Sequence, residues 1–148
     1  MKKEKLKPDK ESLKYIRAWC RCYPDWEAWL KEPSSYIPQR LALSLVPSLT
    51  SEKKSEEEMI LMYKEKIEYN KWLLHDAVFQ VMKNHTERYD AMVYIFQAVA
   101  RGMGYNKELM RKHFSKNKMY EYMREVYNYL YLKLMVKEDD DENPETVS

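Results

Sequence analysis

Two glycines in 148 residues leave a chain few places to turn tightly. A β-rich fold needs many turn positions with positive φ, and glycine fills them at the least cost. Here both glycines fall together, at Gly102 and Gly104. Lys, Glu, Leu, Met and Tyr dominate instead, and most of these are good helix formers. An all-α fold is therefore expected. With aromatic residues at 14%, the chain can still build a real core despite its charge.

At this length the chain forms one domain with appendages. We divide it into N-terminal helices and a proline-containing linker (1–50), a long helix plus a C-terminal helix-turn-helix unit (51–137), and an acidic tail (138–148) expected to be disordered. No run reaches the ~18–20 apolar residues of a membrane span. The basic start, Met1-Lys2-Lys3-Glu4-Lys5, is not followed by a hydrophobic stretch, so no signal peptide is expected and the cytoplasm is the expected location. Cys20 and Cys22 are two apart, which on a helix points them to different faces. With His75, His85 and His113 scattered, we expect reduced thiols and no metal or other cofactor.

A first helix is expected over Lys10–Cys22, with Leu13, Ile16, Trp19 and Cys20 on its apolar side and a break at Tyr23-Pro24. A short helix over Asp25–Lys31 presents Trp26 and Trp29, whose large apolar area suits an anchor onto the core better than a ligand cage. Pro33, Pro38 and Pro47 mark Glu32–Thr50 as a loop, with room for one helical turn at Gln39–Leu45. Ser55-Glu56-Glu57-Glu58 is a capping box that opens a long helix to about Lys83. Its stripe is Ile60, Tyr63, Ile67, Asn70, Leu74, Ala77 and Val81, close to heptad spacing. That stripe suits either a homodimer or higher oligomer through the long helix, where a buried Asn sets register, or packing within one chain. Trp72 and Phe79 are expected to widen the buried face. A further helix to Arg101 turns Met92, Val93, Phe96, Val99 and Ala100 inward, and the glycines end it.

The stretch Tyr105–Leu134 reads as a short helix, a turn and a longer helix whose first turn is basic. Asn106 caps the short helix, expected to run to Lys112 with Leu109, Met110, His113 and Phe114 inward. Ser115 caps the second. Met119, Met123, Val126, Leu130 and Leu134 form its apolar stripe. Eight cations against three acids lie between Arg101 and Lys133, the local excess that phosphate binding requires. Asn and Lys at the start of such a helix suit base edges in the major groove of double-stranded DNA. Asn117, Lys118, Tyr120 and Glu121 are the candidates for base contact. Lys107, Arg111, Lys112, Lys116 and Arg124 are the candidates for phosphate contact. The fold expectation is thus a helical N-terminal part and a long helix leading to a C-terminal trihelical helix-turn-helix unit.

This layout resembles the ArpU/RinA-type phage late transcriptional regulators, whose C-terminal part is similar to region 4 of sigma factors. The resemblance rests on Tyr23-Pro24 followed by Trp26 and Leu30, on the long helix, and on Glu108–Val126. Within the last stretch, Phe114-Ser115-Lys116-Asn117-Lys118-Met119 stands where the family has apolar-Ser-x-x-Thr-apolar. The resemblance implies activation of phage genes in a bacterial host by binding promoter DNA, with host RNA polymerase as a further partner. Two alternatives stay open: a DNA-packaging recognition protein of the terminase small-subunit type, and a helical module that binds a host protein. An enzyme is not expected, because no phosphate loop, nucleophile elbow or metal-ligand cluster is present.

Overall fold

The computed structural model of the chain describes residues 7–48 and 54–136, and among these every regular element is helical. The basic start, and the acidic tail expected to be disordered, lie outside the described residues.

Helix α1, Lys10–Cys20, starts where the Asp9 carboxylate accepts the Ser12 N–H at 2.7 Å. It buries Ile16, Trp19 and Cys20. Helix α2 spans Tyr23–Lys31. The expected break at Tyr23-Pro24 comes earlier, at Arg21-Cys22, because Pro24 opens α2 instead of closing α1. In a first turn its missing N–H has no intrahelical partner to lose. Trp26 and Trp29 are buried, and Trp26 meets Trp19 edge to face at 4.9 Å. Both cysteines are free and buried, and burial pushes both thiols up.

Within the proline-rich stretch, one α-turn (α3, Gln39–Ala42) runs into a 3-10 segment, Leu43–Ser48. Helix α4, Glu56–Lys83, is the longest element. The capping box forms as read: Ser55 Oγ accepts from Glu58 N–H at 3.1 Å, and the Glu58 carboxylate accepts from Ser55 N–H at 2.9 Å. A 3-10 segment, Thr86–Ala91, leads to α5, Met92–Arg101. Helices α6, Lys107–Met110, and α7, Lys116–Leu134, follow.

The core lies around α4, which packs against α7, α5, α2 and the 43–48 segment, while α1 packs against α7 and α5. Of the expected stripe on α4, Tyr63, Ile67, Asn70, Leu74, Ala77 and Val81 are buried within this one chain, and Ile60 is half-buried. The seam that a coiled coil would need is therefore already covered. Two expectations for α4 fail. Trp72 is 56% exposed and Phe79 37%, on the outer side of the helix with Leu61 and Tyr69. Steps of seven and eleven return a helix to nearly the same side, so Leu61, Trp72 and Phe79 line up. On α5, Val93 is exposed where it was expected inward. Ile95, Ala98 and Val99 set the buried face at helical spacing, and Val93 lies far off that direction.

Several polar contacts tie the elements together. Asn70 donates to the Ser44 carbonyl at 3.1 Å. Trp26 Nε1–H donates to Ser44 Oγ at 3.0 Å, and that hydroxyl donates to the Leu41 carbonyl at 2.8 Å. His75 stacks on Phe96 at 4.3 Å and pairs with the Tyr23 hydroxyl at 3.0 Å. Burial, then the charge of Lys71, holds its imidazole below the usual value. Between α4 and α7, the Tyr129 hydroxyl donates to Asp76 at 3.0 Å, and His85 Nε2 lies 2.9 Å from a Glu125 oxygen.

Replacing Asn70 with Ala strands a buried carbonyl, which typically costs ~1–3 kcal/mol. We expect Asn70→Ala to lower the urea midpoint accordingly and to leave the sedimentation coefficient of the folded protein unchanged. A change in oligomeric state would instead place Asn70 in an intermolecular seam.

Candidate nucleic-acid interface

The Asn106 side chain accepts from the N–H groups of Glu108 and Leu109 at 2.9 and 3.1 Å, capping α6 as read. The helix is shorter than expected. It ends at Met110, where the carbonyl accepts from both His113 and Phe114 N–H at 2.7 and 3.0 Å and closes a turn. Arg111 and Lys112 therefore sit in that turn and not in the helix. Met110 and Phe114 are buried and His113 half-buried. Leu109 is 53% exposed, against expectation. A helix turns about 100° per residue, so with Met110 facing in, its neighbour faces away.

The turn contains no glycine, and aromatic packing holds it instead. The Tyr105 hydroxyl donates to the Phe114 carbonyl at 2.7 Å. The Phe114 ring sits among those of Tyr94, Tyr105 and Tyr122, with centroids 5.9–6.4 Å away. His113 Nδ1 lies 3.5 Å from an Asp90 oxygen, joining the turn to the 86–91 segment.

Ser115 caps α7 by accepting from Lys118 N–H at 3.2 Å. Met119, Val126 and Leu130 are buried, and Met123 and Leu134 half-buried. Tyr122 and Tyr127 are buried too, which the sequence reading missed. Their spacing to Val126 and Leu130 was the available signal. Burial and the neighbouring Cys20 push the Tyr127 phenol up to about 12, and Arg17 partly offsets them.

All nine candidate contact residues are exposed: Lys107, Arg111, Lys112, Lys116, Asn117, Lys118, Tyr120, Glu121 and Arg124. Helical spacing groups Asn117, Glu121 and Arg124 on one side of α7, with Tyr120 beside them and Lys116 and Lys118 flanking. Lys118 and Glu121 pair at 3.1 Å. Such an exposed pair is worth about 1 kcal/mol or less and yields easily to another partner. Among the described residues, Lys107, Arg111, Lys112, Lys116 and Arg124 make no ion pair. At the end of α5, by contrast, Arg101 is held by Glu27 at 2.8 Å.

The first turns differ in sign. Acids stand in the first turns of α1, α2, α4 and α6: Glu11 beside Lys10, Asp25, Glu56 with Glu57 and Glu58, and Glu108 beside Lys107. That matches the positive end of the helix dipole. Helix α7 has no acid there and carries Lys116 and Lys118 instead. Two cations at a positive helix end cost a few tenths to about 1 kcal/mol each. A phosphate placed there would reverse that cost.

Among the described residues no cluster of His, Cys, Asp and Glu could hold a metal ion, and no helix is long and apolar enough to cross a membrane. No protein-family model, curated protein or solved structure matches the chain.

Removing the Ser115 cap frees one end of α7. Ser115→Ala should cost ~1 kcal/mol. Thermal unfolding should show a lower midpoint, and hydrogen exchange should quicken at the Lys118 amide.

Proposed function

We propose that the chain is a DNA-binding transcriptional regulator of phage or mobile-element late genes, with α6 and α7 as a helix-turn-helix. The observation that carries this reading is the reversed charge at the start of α7. The other helices with a side-chain cap, α1, α4 and α6, each hold an acid in the first turn, while α7 holds cations and no acid there, where an incoming anion would be welcome. The exposed cations on α6, its turn and α7 add to that preference. Asn117, Lys118, Tyr120 and Glu121 take the base edges in this reading. Lys107, Arg111, Lys112, Lys116 and Arg124 take phosphates. Late-gene control, a phage origin and a polymerase partner rest on the resemblance of layout and on nothing further.

Each phosphate released from a cation should flatten the salt dependence of binding by about one unit of slope. We therefore expect salt-sensitive binding to duplex DNA, abolished by Lys116→Glu/Lys118→Glu in a variant that keeps its helical circular dichroism. Absence of binding at low salt, or binding untouched by the double variant, would remove α7 from the DNA.

A second reading, a DNA-packaging recognition subunit that assembles into a ring, draws support from the outer face of α4. Since the expected seam is buried, an oligomer through the long helix would have to use Leu61, Tyr69, Trp72 and Phe79. If it does, the protein should sediment as an oligomer, and Trp72→Asp should reduce it to monomer. A monomer at micromolar concentration favours the regulator.

A further inference from the structure

Beside the exposed face of α7 lies a cavity of about 750 Å3, walled by α1, the C-terminal end of α5 and α7. Its volume falls in the range of small-molecule sites. The floor is apolar, with Leu13, Ala98, Met103, Met119 and Met123 among its residues. The walls carry Lys7, Arg17, Arg21 and Arg124, and no Asp or Glu lines it. Among the described residues none of the four cations has an ion-pair partner.

Two of the arginines are held in place by the fold. The Arg17 guanidinium stands over the Tyr127 ring, 5.8 Å from its centre. The Arg21 guanidinium lies across Gly102, where an added Cβ would fall 2.4 Å from its central carbon. Gly102 has φ 72° and ends α5 in the left-handed conformation that glycine adopts freely. The missing side chain at that position thus serves both the turn and the seat of Arg21.

Four exposed like charges around one apolar-floored groove with no acid among them repel one another. An anion would relieve it. Guanidinium forks match the oxygens of a phosphoryl group. Met side chains and the exposed ring of Tyr120 suit a flat or apolar body attached to it. We propose that this cavity binds a phosphomonoester of mononucleotide size, its phosphoryl group between Arg17, Arg21 and Arg124 and its base on the methionine floor. The site takes a free nucleotide and does not rest on the DNA reading. It shares Tyr120 and Arg124 with the outer face of α7, so the two occupants would compete for those side chains.

The test uses the full chain and adenosine monophosphate, with sulfate at matched ionic strength and a short oligothymidylate as comparison arms. Calorimetry should show saturable one-to-one binding of the nucleotide. Arg17→Gln/Arg124→Gln should weaken it by about tenfold or more, since charge-assisted bonds to phosphate are among the strong ones. On the unaltered protein, the nucleotide should protect Arg17, Arg21 and Arg124 from phenylglyoxal and leave Arg40 reactive, a residue already paired with Asp25. That protection decides the matter even if the variant fails to fold. No binding up to about 10 mM, an affinity below about 3 kcal/mol, would overturn the proposal. So would equal protection by sulfate, or protection by the oligonucleotide alone.

Discussion

The buried Ser44 is the joint on which the two ends of the chain depend. Its hydroxyl takes the Trp26 indole N–H and gives its own proton to Leu41, while its carbonyl takes the Asn70 amide. Ser44 and Asn70 are the buried polar side chains of the core among the described residues. A proline-rich segment has few internal hydrogen bonds, so burying it leaves polar groups that must find partners elsewhere. Here the partners come from α2 on one side and α4 on the other. Once that segment is pinned, α1 and α2 lie against α5 and α7. The basic face of α7 is then held from behind by α1, roughly a hundred or more positions earlier in the chain.

Charge in this protein is distributed by two different rules. In places it is settled locally: acids stand in the first turns of α1, α2 and α4, and Arg40, Arg88 and Arg101 each lie beside a carboxylate. On α6, α7 and the adjoining face of α1, Lys107, Arg111, Lys112, Lys116, Arg124, Arg17 and Arg21 have no such partner among the described residues. An even distribution would have been easier to fold. Natural chains depart from such local consistency mainly where function asks for it.

Much of the architecture was legible in the sequence because it is written locally. Caps at Ser55, Asn106 and Ser115, the terminating Gly102 and the stripe on α4 all rest on residues a few positions apart. The misreadings share a cause as well. Leu109, Trp72, Phe79 and Val93 are large and apolar, and size alone suggested burial. Each sits on the wrong side of a helix whose buried direction its neighbours had already set. The outer aromatics of α4 could not be told from core aromatics without knowing which partners the helix would meet. At Tyr122 and Tyr127 the error ran the other way, since a phenol suits either surface or interior. The exposed face of α7 followed from periodicity alone. The cavity did not, because Arg17 and Arg124 become neighbours only through the packing of the first helix on the last.

That packing also bears on how the protein comes into being. Synthesis delivers α1 first and α7 last. Until α7 has left the ribosome, Ile16, Trp19 and Cys20 lack one of the surfaces that cover them, and α4 lacks another. Contacts so far apart along the chain form slowly and leave apolar surface open meanwhile. The nascent chain is thus committed to a long exposed interval, and a premature stop anywhere before α7 releases a product with its core open to water.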